Sequence, residues 1–168
     1  MTTPNNDMFH INTLIQELQR IGWTLESDLN LKEVAVGDIT TMPSPGISNI
    51  IPGIFIQPMP ATTNDFDELP RVMTQKYFFR FVYVRMIGRG ERIIQKSIDD
   101  ATLIMNTYTD YYQMRDITNL PSGTQVLWAI IKTVEWRPPE DMYMQQVHAD
   151  LAAIAFNMEI EVKTRRAS

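Results

Sequence analysis

The chain has 168 residues, 44% of them hydrophobic and 21% charged. That suits one ordinary domain of ~100–200 residues over 1–168, long enough to bury a core without staples. Fifteen basic against twenty acidic residues leave a net charge of −5, which argues against a general nucleic-acid binder, because phosphate binding wants a basic face. Cysteine is absent, which excludes disulfides, thiol nucleophiles and Cys-based zinc sites. No apolar run reaches the length of a membrane-spanning helix. The opening MTTPNNDMFH has no basic n-region, so no secretory signal is expected there.

The first predicted element is an amphipathic helix over Met8–Trp23. Ile11, Leu14, Ile15, Leu18 and Ile21 share one face, Asn6 or Asp7 caps it, and Gly22 ends it. A long irregular stretch, Thr40 to Gln75, follows. It holds six of the ten prolines, so regular structure should be short there. Ile54–Ile56 reads as a brief strand after Gly53. Ile47, Ile50, Ile51, Phe55 and Met59 make the stretch too apolar for pure disorder. It reads equally as a surface loop or as an arm that orders on a partner.

Lys76 to Ile87 is the strongest β signal. Phe79, Phe81 and Tyr83 point one way; Phe78, Val82, Val84 and Met86 point the other, with Arg80 and Arg85 on opposite faces. Apolar residues on both sides predict a strand covered twice or lying in an interface. A second helix is expected from Glu91 to Gln113, with Ile94, Ile98, Ala101, Met105, Tyr108 and Tyr112 packed in the core. Gln125–Trp136 reads as a strand with Val126, Trp128, Ile130 and Val134 on one face and Leu127, Ala129 and Ile131 on the other. Asp150–Lys163 reads as its partner, with Ile154, Phe156, Met158, Ile160 and Val162 inward. Arg137–His148 is then the long tip of a C-terminal β-hairpin, and 164–168 a short basic tail. The order implies an α+β domain: an antiparallel or mixed sheet flanked by two helices.

Residues that carry chemistry do not converge. His10 and His148 have no partner at metal-ligand spacing. No GxSxG occurs, and Gly88-Arg89-Gly90 is not a phosphate loop. Asp99 and Asp100 point about 100° apart on a helix and read as solvated charges. The charge layout is more informative. Residues 1–70 sum to −7 and 71–168 to +2. Within 71–92, six basic residues, Arg80, Arg85 and Arg89 among them, face Glu91 alone. Complementarity to an acidic surface, on a neighbour or on this chain's own front, is favoured over phosphate contact.

The opening helix, aromatic strand, central helix and two final strands resemble the tail terminator proteins of long-tailed bacteriophages. The run Ala149–Val162 is similar to their last strand, and Val126–Val134 to the one before it. The resemblance covers about Tyr77 to Lys163 plus the first helix, and rests on element order, size and strand style. It implies a structural virion protein of the phage tail or neck, assembled in the bacterial host cytoplasm. It implies a homo-oligomeric ring, commonly a hexamer. One face of the ring would cap the tail tube protein and stop its polymerisation. The other would dock the head connector in head–tail joining, with DNA passing through unbound. No catalytic residue, metal or cofactor is carried over.

A ring subunit makes heterologous contacts, so two unlike patches must complement each other. The acidic front and the basic 71–92 strand fit such a pair. Met-rich surface adapts to unlike neighbours, and Met142, Tyr143 and Met144 at the expected hairpin tip would be costly exposures otherwise. The expected interface residues are therefore Ile50, Ile51, Phe55, Met59, Arg80, Arg85, Arg89, Glu140, Met142, Tyr143 and Met144. Deleting Glu140–Gln145 is expected to weaken assembly and spare the fold. Another neck, head-completion or tail tube protein would share this sequence style; long tubes instead of closed rings would identify the last. A small-ligand-binding or enzymatic α+β domain would need a pocket of convergent polar groups. A nucleic-acid module built on Tyr77, Phe79 and Phe81 would need salt-dependent affinity for single strands.

Overall fold

A computed structural model describes residues 10–42, 44–59, 63–66, 72–88, 90, 92–110, 113–114 and 120–165. In chain order these form α1 (Ile11–Trp23), α2 (Glu26–Leu29), β1 (Glu33–Val36), two 3-10 turns (Ile39–Thr41 and Ser44–Ile50), β2 (Gly53–Pro58), β3 (Thr63–Phe66), β4 (Val72–Met86), α3 (Ile93–Tyr108), β5 (Thr109–Asp110), β6 (Gln113–Met114), β7 (Thr124–Glu135), α4 (Pro139–Val147) and β8 (Leu151–Arg165). The fold is α+β. One mixed sheet runs β1-β2-β4-β8-β7, with β3 also paired to β4. β1 and β2 are parallel; the other pairs in this sheet are antiparallel.

Strand β4 is the keel. Its 15 residues pair with β8 along their whole length, from Val72 opposite Arg165 to Met86 opposite Leu151. Strict alternation sends Tyr77, Phe79, Phe81 and Tyr83 to one side, where they pack with Ile154, Phe156, Met158, Ile160 and Val162 under α1 and α3. Phe81 and its cross-strand partner Phe156 stack with ring centres 4.7 Å apart, and Tyr108 of α3 lies 4.8 Å from Phe81. Val82 and Val84 face the other side, where Phe55, Leu151, Ala153 and Ala155 meet Met144 of α4. The strand is therefore covered on both faces, as its two-sided apolar pattern requires.

Several local expectations need revision. Asn6 and Asp7 lie outside the described residues, and His10 stands at the N-cap of α1. Gly22 does not end α1. It lets α1 approach its neighbours: a Cβ there would lie 2.6 Å from the Tyr108 hydroxyl and 2.9 Å from Val34 Cγ1. The Tyr108 hydroxyl, wholly buried, donates to the Leu18 carbonyl at 2.8 Å. The Thr40–Gln75 stretch is not one long loop. β2, β3 and the start of β4 lie within it, with Pro58 closing β2, where its missing N–H costs no ladder bond.

The central helix also differs. Its buried residues are Ser97, Asp100, Ala101, Ile104 and Tyr108, so Ile94 and Ile98 of the expected core stripe lie exposed. Asp100 is not a solvated charge: it is buried, accepting from the Tyr83 hydroxyl at 3.3 Å and from Lys96 at 2.8 Å. Tyr112 of the expected stripe lies outside the described residues. In β7, bulges fall at Leu127 and Lys132. Each adds one residue and flips the phase. Val126, Ala129, Ile131 and Val134 therefore share the α1/α3 side, and Trp128 and Ile130 lie on the other. β7 and β8 do pair antiparallel, but their connection is helix α4, not a hairpin tip. Of the expected basic tail, Thr164 and Arg165 extend β8.

Candidate assembly surfaces

The structure brings most of the expected interface residues together, but against one another. Ile51 and Phe55, from the Pro-rich segment, and Met144, from α4, meet in the second core and are fully buried. Their side chains have no surface to offer a partner, so they are corrected to core residues. Ile50 and Tyr143 pack half-buried at its margin. Met59 is half-buried after β2, where its N–H bonds the Phe78 carbonyl. Arg89 lies outside the described residues.

Arg80 and Glu140 are likewise internal. The Arg80 guanidinium grips Glu140 with two parallel bonds: Nε to Oε1 at 2.8 Å and Nη2 to Oε2 at 2.9 Å. Nη1 also donates to Glu135 and, at 3.2 Å, to Asn157. Side-chain exposures are only 15% for Arg80 and 11% for Glu140. Such a bidentate fork is the strong form of an ion pair. It holds the Glu140 carboxyl below the usual carboxylate range, and Glu140 in turn raises the Arg80 pKa further. The next residue completes the clamp. Asp141 Oδ1 accepts the N–H of Ala153 at 2.8 Å, beyond the last β8 residue that β7 reaches. A backbone donor that would otherwise be buried unpaired is thus satisfied by a side chain of α4.

Arg85 is buried where β4 ends beneath α3. Its Nη2 donates to the Ile93 carbonyl at 3.1 Å and to Ser97 Oγ at 3.2 Å, and Nη1 to the Met86 carbonyl at 3.3 Å. Arg80 is thus taken up by Glu135 and Glu140, and Arg85 bonds α3 and the end of β4. Lys76 rests 5.6 Å over the Trp128 ring, and Lys132 reaches Glu159 at 3.6 Å.

Met142 is 67% exposed, on the outer side of helix α4 and not at a hairpin tip. Met86, at the end of β4 on the same side of the sheet, is exposed as well. Sequence reasoning missed the larger apolar surface on the opposite side. There Ile93, Ile94 and Ile98 of α3 are exposed, Ile94 to 67%, while Leu103 is exposed on the other flank of the helix. The signal was present, because the apolar stripe of α3 is broader than one buried face needs. Among the described residues, no group of three or more His, Asp or Glu could hold a metal ion, and no helix is long and apolar enough to cross a membrane.

The class that fold and surfaces define is an α+β domain whose sheet is layered on both faces, with apolar side chains exposed on both outer layers. No family model matches the chain, and no curated protein matches it.

Proposed function

We propose that this chain is a structural subunit of a bacteriophage tail, a tail terminator. Copies would form a ring, hexameric in the resembling family, that caps the head-proximal end of the tail tube, stops its polymerisation and docks the head connector. The observation that carries the reading is the pair of unlike apolar surfaces on opposite sides of one sheet. On one side stand Ile93, Ile94 and Ile98 of α3; on the other, Met142 and Met86. Large apolar side chains left exposed together, as on α3, mark contact sites. A subunit held between a tube and a connector needs two such faces, and they must differ. The negative net charge fits a channel that lets DNA pass without gripping its phosphates.

The test is the mass of the purified full chain by light scattering, with its shape by negative-stain electron microscopy. Closed rings about as wide as a phage tail, which halt tube growth when added to tail tube protein, are expected. A protein that stays monomeric at tens of micromolar overturns the proposal. So does one that polymerises into long tubes, which would make it a tube protein.

A further inference from the structure

The sheet ends in two strands whose outer sides differ. At β7, two bulges interrupt the ladder and β5 and β6 pack alongside. β1, at the other end, pairs with β2 in unbroken register, and no described strand lies beyond it. In a parallel ladder alternate residues make both bonds to the neighbouring strand, and those between turn their N–H and C=O outward. The Gly37 N–H donates to the Ile56 carbonyl at 2.9 Å, which sets Glu33 and Ala35 toward β2 and Val34 and Val36 outward. Such a row of outward backbone groups is a template for an added strand.

At Val34 both outward groups are already taken, and by side chains. Glu33 Oε1 accepts the Val34 N–H at 3.0 Å, and Gln19 Nε2 of α1 donates to the Val34 carbonyl at 3.2 Å. One side chain brings an acceptor and the other a donor, the same pair that an added strand would bring. Gln19 can reach because it lies one turn before Gly22, where α1 closes on β1: a Cβ on Gly22 would lie 2.9 Å from Val34 Cγ1. The Glu33 carboxylate makes its bond a charge-assisted one and sets a charge at the edge. Val36, the other outward residue, ends the strand, and one ladder residue alone cannot hold a strand.

We infer that Gln19 and Glu33 are edge caps: their side chains occupy the hydrogen bonds that β1 would offer to an extended strand, and so hold this end of the sheet closed to strand addition. Contacts with other molecules are thereby left to side-chain surfaces. What an uncapped β1 would take is the β1 of a second copy. Antiparallel pairing can set Val34 opposite Val34, and directly opposed residues of a hydrogen-bonded pair exchange both N–H···O bonds. Capping does not depend on the tail reading; it guards against sheet growth in any protein with this edge.

The test compares four full-length proteins: wild type, Glu33→Ala, the double variant Gln19→Ala with Glu33→Ala, and the conservative double variant Gln19→Lys with Glu33→Gln. Both positions are half-buried, and slow amide exchange in β4 confirms that each protein keeps its sheet. Without the carboxylate, the Val34 N–H faces water. In dilute solution it is expected to exchange at least about tenfold faster than in wild type in both alanine proteins. On concentration, the alanine double variant should form species larger than those of wild type by sedimentation velocity, whatever oligomer wild type itself forms, and Val34 should regain its protection. The conservative variant keeps a donor and an acceptor and should match wild type in both readouts. Folded alanine variants whose Val34 exchanges as in wild type overturn the inference, as does an alanine double variant that forms no larger species. So does a conservative variant that behaves like the alanine one, which would make the effect one of packing. Glu33→Ala leaves α1 untouched, so its exchange rate decides the matter even where the double variant fails to fold.

Discussion

Replacing Arg80 with Met tests the clamp that holds α4 on the sheet. The guanidinium makes four hydrogen bonds, two of them in parallel to Glu140, at a site where both side chains are largely covered. Its loss leaves Glu140 and Glu135 without their counter-charge. Breaking one side of such a pair costs about 3 kcal/mol. Glu140→Gln keeps the hydrogen-bonding shape and should cost less, about 1–2 kcal/mol. Because the two residues touch, the double variant should be less destabilised than the sum, by roughly 1–3 kcal/mol. The readout is urea unfolding, followed by the fluorescence of the three tryptophans, Trp23, Trp128 and Trp136. The pH dependence has a definite sign. The folded state holds the Glu140 pKa below its ordinary 4.5. Its contribution is therefore fully present above that value and fades as pH falls through the lowered one. The gap between wild type and Glu140→Gln should close on acidification. Unfolding midpoints within about 0.5 kcal/mol of wild type for Arg80→Met, or strict additivity in the cycle, would refute the reasoning.

Neighbouring methionines of α4 should separate stability from assembly. Met144→Ala empties a fully buried site and should cost about 2–4 kcal/mol in urea unfolding. Met142→Ser changes exposed surface; it should leave stability within about 0.5 kcal/mol and weaken tail joining. Deleting Glu140–Gln145 removes Glu140, Asp141 and Met144 together, so it should abolish cooperative unfolding. Gly22→Ala drives a methyl group to 2.6 Å from the Tyr108 hydroxyl and should lower stability by about 1–3 kcal/mol. Tyr108→Phe drops the bond to the Leu18 carbonyl at about 1 kcal/mol. Both are checked by the same urea titration.

Strand β4 was legible in the sequence because a period of two needs no knowledge of the rest of the fold: Phe79, Phe81 and Tyr83 against Val82 and Val84 declare two covered faces. β7 was half legible. Its residues announce a strand, but two extra residues at Leu127 and Lys132 shift the phase, and no local pattern distinguishes a bulge from plain alternation. α4 was misread from a signal that was present. Pro138-Pro139 looks like the end of a strand, yet proline at the first helical turn followed by Glu140 and Asp141 is also how helices begin. The Arg80–Glu140 pair spans 60 residues, and nothing local couples two positions so far apart.

The same distinction separates the two charge patterns. Counted along the chain, the acidic front and the basic 71–92 segment look like the two halves of a joint. In the fold, Arg80 and Arg85 are bound by their own domain, and a charge already held in a near-buried pair has little left to give a partner. What remains is set by sheet order. β1 and β7 are the terminal strands, yet even at β7 a charge finds a partner within the domain, Lys132 reaching Glu159 of β8 at 3.6 Å. A patch of net charge in sequence is thus weak evidence for a surface, because the fold decides which charges are already held by a partner within the domain.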